Sequence, residues 1–263
     1  MATDIFISTD LDFDRPGKQL GYLRMPHSVH RSAYGHIPIP IGHFVNGEGP
    51  RVLITAGNHG DEYEGQVVLS SLMRRLEAAD VKGRLTLLPM MNFPAAEAGL
   101  RTSPIDQGNL NRAFVGEPTR GPTWAIAHYV EEVLMPGLDL YADLHAGGSS
   151  LTYKPSVFAS FEGGTADRQA LLQPLLEALA MPCTLLHATD PKGAYSHAAA
   201  WRKGVLAFTI EAVGAGRVTP AVRRHIEAGM LRVLREVGSY VGREEIPPAP
   251  APTQYYQVEN EHY

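Results

Sequence analysis

Residues 51–65 read RVLITAGNHGDEYEG, an apolar run followed at once by glycines, a histidine and three carboxylates. The run 52–55 indicates a buried strand, because consecutive apolar and β-branched residues leave no polar face. A solvated turn needs one or two polar residues, whereas His59, Glu62 and two further acidic residues lie within six positions. The cluster therefore predicts a functional end of a strand, provided that the rest of the chain supplies partners.

The rest of the chain alternates strand and helix patterns around this segment. An antiparallel pair is predicted over 19–46, further strands at 84–90, 138–145, 153–160, 183–188 and 205–212, and helices over 66–78, 122–135, 171–179 and from 220. The helix at 171–179 is expected to bury one face, formed by Leu171, Leu172, Leu175, Leu176 and Leu179. Such alternation is typical of an α/β fold, a mixed, mostly parallel sheet with helices on both faces.

Two segments lack this periodicity. Residues 92–121 are rich in Gly, Pro and Asn, and so long an irregular loop in a compact domain usually has a function. Residues 243–263 begin with a proline-rich stretch and are expected to be a linker or tail remnant. The predicted organisation is one catalytic domain over residues 1–242 followed by this tail.

Composition excludes several classes of partner. The chain has 263 residues, 44% of them hydrophobic, with a net charge of −5, so it offers no basic surface for nucleic acid. Without a signal-like N-terminus or a long apolar segment, neither a membrane nor secretion is expected, and a cytoplasmic location follows. Cys183, the one cysteine, is expected to be a buried thiol. Homo-oligomer formation is left open.

Polar side chains follow three of the predicted strands. His59 and Glu62 come after the first, His145 ends the strand at 138–145, and Glu211 ends that at 205–212. Ligands bind at the carboxyl ends of strands in such sheets. Two histidines and a glutamate form a ligand set of catalytic zinc, which leaves Glu211 as general base for an attacking water. Asp143 is placed to orient a ligand imidazole.

Each of these motifs has an ordinary structural explanation. H-x-x-E alone usually marks a solvated turn, and a histidine after a strand often does no more than end it. Because the motifs coincide at the ends of strands in one sheet, a metal site is favoured over these ordinary explanations.

Four segments in order resemble the succinylglutamate desuccinylase/aspartoacylase family, relatives of zinc carboxypeptidases. They are GNHGDEYEG, RTSPIDQGNLNRAF, DLHAGG and FTIEAVGAG, within residues 20–240. The second segment and HGDEYEG are most similar to the N-acetyl-diaminobutyrate deacetylases of ectoine breakdown. The resemblance implies a zinc carboxypeptidase-like fold with one zinc ion per chain.

The resemblance also implies roles for individual residues. It makes His59, Glu62 and His145 the zinc ligands and Glu211 the general base. Arg101 would polarise the scissile carbonyl, while Asn111 and Arg112 would bind the substrate carboxylate. A guanidinium can stabilise an oxyanion, and its planar fork suits a carboxylate. The ordinary explanation of NLNR is a turn, and Asp106 is expected to hold this loop in place.

The expected function is zinc-dependent removal of a small acyl group from an N-acyl amino acid, with N-acetyl-2,4-diaminobutyrate as the expected substrate. Asp106 and Glu64 are the candidates for binding its side-chain ammonium. Two alternatives stay open, a carboxypeptidase-type peptide hydrolase and a metal-binding module without catalysis. The second would apply if the C-terminal β-rich domain that the family commonly carries were essential, since this sequence ends at QYYQVENEHY, but Glu211 disfavours it because a pure binding site needs no base.

Overall fold

A nine-stranded sheet forms the centre of the molecule in the computed structural model, which describes residues 6–162 and 167–258. The strands are β1 (Gly17–Pro26), β2 (His36–Asn46), β3 (Arg51–Ala56), β4 (Gly83–Leu88), β5 (Leu140–His145), β6 (Ser156–Ala159), β7 (Cys183–Leu186), β8 (Leu206–Glu211) and β9 (Gln254–Gln257). Their order across the sheet is β1-β2-β4-β3-β5-β8-β6-β7-β9. The strands predicted from apolar runs are all present, with small differences at their ends.

The sheet is mixed and mostly parallel, as predicted. Strands β4, β3, β5 and β8 run parallel to one another at its centre. The hairpin β1–β2 joins β4 antiparallel at one side. On the other side β6 is antiparallel to β8, and β6, β7 and β9 are parallel to one another.

Helices cover both faces of the sheet, which confirms that prediction. They are α1 (Tyr63–Arg75), α2 (Phe93–Ala98), α3 (Pro122–Tyr129), α4 (Arg168–Leu179), α5 (Ser196–Arg202) and α6 (Pro220–Glu236). Helices α1, α4 and α6 bury apolar side chains in one core, whereas α3 and α5 contribute to a second core on the opposite face. Strand β3 lies between them, with Val52, Leu53 and Ile54 at most 1% exposed.

Helix α4 departs from its prediction at one residue. Leu172, Leu175, Leu176 and Leu179 are buried as expected, but Leu171 is 53% exposed. At 3.6 residues per turn Leu171 lies roughly 90° from the centre of the stripe that the other four leucines form. The assignment of all five leucines to the buried face was therefore wrong for Leu171. Cys183 is buried, as predicted.

Helices α2 and α5 and strand β9 have no counterpart in the sequence analysis. Helix α2 interrupts the loop 92–121 and ends at Gly99, which takes the left-handed conformation (φ 63°) that favours glycine at this position. Helix α5 has seven residues, too few to show a helical period. Strand β9 lies in the predicted tail and pairs with β7, so residues 254–257 belong to the same sheet as the domain before them. Residues 259–263 lie outside the described range.

Within the described ranges, every helix is too short or too polar to cross a lipid bilayer.

Candidate active site

The site is built at the carboxyl ends of three adjacent parallel strands. β3, β5 and β8 are neighbours, with Thr55 in register with Asp143 and His145 in register with Glu211. His59 and Glu62 lie on the turn between β3 and α1. The polar residues that the sequence analysis placed at one end of the sheet are therefore brought together.

Glycines shape the turn that carries His59. Gly57 has a φ of 66°, in the left-handed region. A Cβ atom at Gly60 would come within 2.0 Å of the carbonyl of Ala95, so only glycine fits against α2 there. The Gly60 N–H also donates to the carbonyl oxygen of Leu100 over 2.9 Å, and this bond holds the next residue, Arg101, beside the turn.

His59, Glu62 and His145 form one buried cluster. His59 Nδ1 is 2.7 Å from Glu62 Oε1, and His145 Nδ1 is 2.8 Å from Glu62 Oε2. One ligand atom from each residue can be chosen so that all lie within 4.8 Å of one another. Two imidazole nitrogens and a carboxylate at this spacing match the donor set of a zinc site with an open position.

The outer nitrogen of each imidazole has its own partner. His145 Nε2 donates to Asp143 Oδ2 over 3.0 Å, the contact expected for Asp143. His59 Nε2 lies 3.1 Å from Asn109 Oδ1, which can accept its proton. Because these partners occupy both Nε2 atoms, both Nδ1 atoms are left to face Glu62 and a cation.

Electrostatics keep the carboxylates of the cluster ionised. Burial alone would raise the pKa of Glu62, but His145 and His59 outweigh it and lower the pKa to about 2. Burial likewise opposes ionisation of Asp143, yet His145 and the hydroxyl of Ser196 hold its pKa below the ordinary value. The pKa of His145 is raised well above its ordinary value, since Asp143 and Glu62 outweigh its burial. The two carboxylates are thus ionised, and a cation that bound Nδ1 of His145 would replace the proton that they hold on this imidazole.

Glu211 stands beside this cluster without joining it. Its Oε2 atom is buried and has no hydrogen-bond partner among the described residues. Burial raises the pKa of Glu211 to about 8. A carboxyl group with a pKa near neutrality, next to a cation site but not part of it, suits a general acid–base role.

Arg101 lies at the mouth of the cluster. Its Nη1 atom is 3.3 Å from His59 Nδ1 and 3.5 Å from Glu62 Oε1, and its side chain is 54% exposed. A guanidinium here can reach both the cluster and an incoming ligand.

The predicted carboxylate-binding pair lies on the short turn Leu110–Arg112. Asn111 Oδ1 accepts a hydrogen bond from the backbone N–H of Ser196 over 3.1 Å, so its Nδ2 donors stay available. Arg112 is exposed and donates through Nη1 to the carbonyl oxygen of Asn111 over 2.6 Å. Asp106 accepts from the backbone and hydroxyl of Thr123, as expected of a residue that holds this loop.

Two acidic residues of the segment 56–65, Asp61 and Glu64, bind neighbouring loops. Asp61 Oδ2 accepts from the backbone N–H and the hydroxyl of Ser149, over 2.8 and 2.9 Å. Glu64 Oε1 accepts from the backbone N–H of Gly214 over 3.1 Å, and Glu64 has no exposed surface. Both candidates for the substrate ammonium therefore already accept hydrogen bonds from this chain, Glu64 from Gly214 and Asp106 from Thr123.

Sequence reasoning missed two residues of the site, Asn109 and Ser196. Asn109 could have been found, because it belongs to the same NLNR motif as Asn111 and Arg112. Ser196 could not, since it lies in a stretch without motif or period and its partners Asn111 and Asp143 are 85 and 53 positions away.

Comparison with known families identifies the class of protein. Residues 48–237 match the family model for the succinylglutamate desuccinylase/aspartoacylase catalytic domain. The chain belongs to this family. The relatives described next are named as enzymes that remove acyl groups.

Individual relatives agree with this assignment. Over 93% of its length the chain is 40% identical to N-alpha-acetyl-L-2,4-diaminobutyric acid deacetylase of Halomonas elongata, and the match covers 71% of that protein. Succinylglutamate desuccinylase of Burkholderia cenocepacia is 32% identical over 64% of the chain, and only half of that relative is matched.

Solved structures extend the likeness to the fold. The product-bound ectoine utilization protein EutE (DoeB) of Ruegeria pomeroyi superposes with a TM-score of 0.90 and 34% identity, over 98% of this chain and 78% of the other. A succinylglutamate desuccinylase/aspartoacylase of Rhodobacter sphaeroides gives a TM-score of 0.88 and 36% identity, over 96% and 76%.

Proposed function

We propose that the chain is a zinc-dependent amidohydrolase that removes the acetyl group from N-acetyl-2,4-diaminobutyrate. The observation that carries the reaction type is the buried cluster of His59, Glu62 and His145, with Glu211 beside it whose Oε2 atom has no hydrogen-bond partner among the described residues. The similarity to the Halomonas deacetylase supports the substrate.

The donor set fits zinc. Nδ1 of His59, Nδ1 of His145 and the carboxylate of Glu62 would hold the ion, since the Nε2 atoms already have partners. Zinc supplies Lewis-acid polarisation of a carbonyl and lowers the pKa of water toward ~7.

The chain's own residues carry the proton and the charge. Glu211 takes a proton from the water whose oxygen adds to the amide carbon, and it gives that proton to the nitrogen as the C–N bond breaks. The second proton of the water passes from the new carboxyl group to the amine, so that the products are acetate and the protonated amine. Arg101, 3.5 Å from Glu62, is placed to stabilise negative charge that develops on the carbonyl oxygen.

Recognition of the amino-acid portion falls to the turn Leu110–Arg112. The Oδ1 atom of Asn111 accepts the backbone N–H of Ser196, which leaves the Nδ2 donors of the side chain for a ligand, and Arg112 adds an exposed guanidinium. Donors without acceptors suit a substrate carboxylate. An N-acyl amino acid is therefore the substrate class that this pair supports.

The test is a comparison of kcat/KM for zinc-loaded protein. N-acetyl-2,4-diaminobutyrate should be hydrolysed faster than N-acetylaspartate, because a second substrate carboxylate would need a further basic group. A preference for N-acetylaspartate or succinylglutamate would contradict the proposed substrate but would still agree with an amidohydrolase. Turnover of C-terminally blocked peptides would indicate a peptidase. Failure to hydrolyse any of these by zinc-loaded protein would indicate a metal-binding module.

A further inference from the structure

We propose that Ser196 is a positioning residue that connects the metal-binding end of the site to the carboxylate-binding end. Its hydroxyl contacts Asp143, and its backbone N–H contacts Asn111. The inference rests on the proposed function for its kinetic consequence, whereas its consequence for metal affinity does not depend on which substrate is hydrolysed.

The hydroxyl acts on the metal-binding end. Ser196 Oγ donates to Asp143 Oδ2 over 2.6 Å, the shortest of the bonds that fix this carboxylate. Thr55 and Asn58 donate the others, over 2.8 and 3.0 Å, and the same Oδ2 atom accepts from His145 Nε2. Because Asp143 orients the imidazole of His145, loss of the serine hydroxyl loosens a metal ligand that it does not touch.

The backbone N–H acts on the carboxylate-binding end. An asparagine amide can turn over and exchange its donor and acceptor sides. The bond from Ser196 N to Asn111 Oδ1, 3.1 Å long, fixes the acceptor side, so that Nδ2 remains for a ligand. Without this bond the amide could present its oxygen to a substrate carboxylate, which would repel it.

Ser196 itself is held firmly. It is 2% exposed and begins helix α5, which ends at Arg202. Arg202 forms a bidentate pair with Glu131, over 2.8 and 2.9 Å, and Glu131 is 1% exposed. The same guanidinium donates to the carbonyl oxygens of Pro191 and Gly193, over 3.0 and 2.8 Å. Both the helix and the turn before it are thus fixed, and Ser196 is a rigid point of attachment.

Two substitutions separate the contacts. Ser196→Ala removes the hydroxyl and keeps the N–H, and alanine favours a helix. Ser196→Pro removes both. Proline is tolerated at the first position of a helix, and Tyr195 already has the extended conformation (φ −118°, ψ 159°) that a residue before proline requires. Ser28→Ala, an exposed serine between β1 and β2, is the matched control.

The experiment measures the zinc dissociation constant by chelator competition, and kcat and KM for N-acetyl-2,4-diaminobutyrate at saturating zinc. Ser196→Ala should weaken zinc binding about 10-fold, the lower end of the effect of losing a residue that orients a metal ligand, because Ser196 acts through Asp143. Ser196→Pro should match it in zinc affinity and raise KM about 10-fold further, equivalent to one hydrogen bond of about 1.4 kcal/mol. Ser28→Ala should change neither.

Unchanged zinc affinity in Ser196→Ala, or equal KM values in the two Ser196 variants, would overturn the inference. An inactive wild type whose zinc affinity still falls on Ser196→Ala would contradict the proposed function and leave the metal arm of the inference standing. Circular dichroism of each variant shows whether the helical content is kept, so that a loss of affinity is not mistaken for unfolding.

Discussion

Glu211 is the register partner of His145 across the ladder between β5 and β8, yet no hydrogen bond among the described residues ties its Oε2 atom. Equivalent positions on neighbouring parallel strands place side chains on the same face of a sheet. A carboxyl group is therefore held next to the imidazole of a proposed metal ligand while its own oxygen stays unused. This relationship underlies the separation of metal binding from proton transfer.

The first prediction concerns metal content. Protein purified without chelator should contain near-stoichiometric zinc, and His59→Ala or His145→Ala should lose it while the fold is kept, because the ligands lie at the ends of strands whose packing they do not provide. Elemental analysis and circular dichroism measure both. His36→Ala, an exposed histidine at the start of β2, should retain the metal. A His59 or His145 variant that holds zinc as well as wild type would show that the ligand assignment is wrong.

The second prediction separates chemistry from binding. Glu211→Gln keeps the shape of the side chain but cannot take a proton, so kcat should fall at least ~10²-fold with normal zinc content. Steady-state kinetics on metal-quantified protein measure the effect. Glu48→Gln, at an exposed position, is the control. Turnover close to that of wild type would mean that another group is the base.

The third prediction concerns pH and stability of the metal-free protein. The pKa of Glu211 rises from 4.5 to about 8 on folding, because burial favours the neutral carboxyl. Its contribution to stability is thus fully present below pH 4.5 and is lost progressively as the pH rises toward about 8. Glu211→Gln stays neutral, so its Tm advantage over wild type should grow between pH 5 and pH 8. Calorimetry in chelator measures it, and an advantage that does not depend on pH would contradict the burial argument.

The fourth prediction distinguishes two arginines. Arg101→Ala should lower kcat, since the role proposed for Arg101 is to stabilise charge that develops during the reaction. Arg112→Ala should mainly raise KM, because it removes binding present in both the ground state and the transition state. Steady-state kinetics of both variants test the pair together. The reverse pattern, with KM affected only by Arg101, would exchange their roles.

The central fold could be predicted because its signals are local. Strands β3, β5 and β8 are apolar over several consecutive residues, and the polar residues that end them are recognisable as metal-binding types. Once the strands were placed in one sheet, the convergence of His59, His145 and Glu211 followed from the rule that ligands bind at the carboxyl ends of strands.

The rest depended on contacts that no local pattern records. Ser196 bonds to Asp143 across 53 positions of the chain, from a helix whose preceding turn accepts hydrogen bonds from Arg202. Strand β9 follows a proline-rich segment and needs the free side of β7 as a partner before it can form. Leu171 shows how far periodicity can predict burial within a helix. The pattern locates the centre of the buried face of α4 more accurately than the edge of that face, where Leu171 lies.

The carboxylates of Asp61 and Glu64 have a consequence for motion in the native state. Asp61 binds the backbone N–H of Ser149, and Glu64 binds that of Gly214, so one short segment holds a loop after β5 and a loop after β8. Each of these amide protons can exchange with solvent only when its bond to the segment 56–65 breaks. Ser149 and Gly214, 65 positions apart in the chain, should therefore exchange deuterium as members of a single cooperative opening unit.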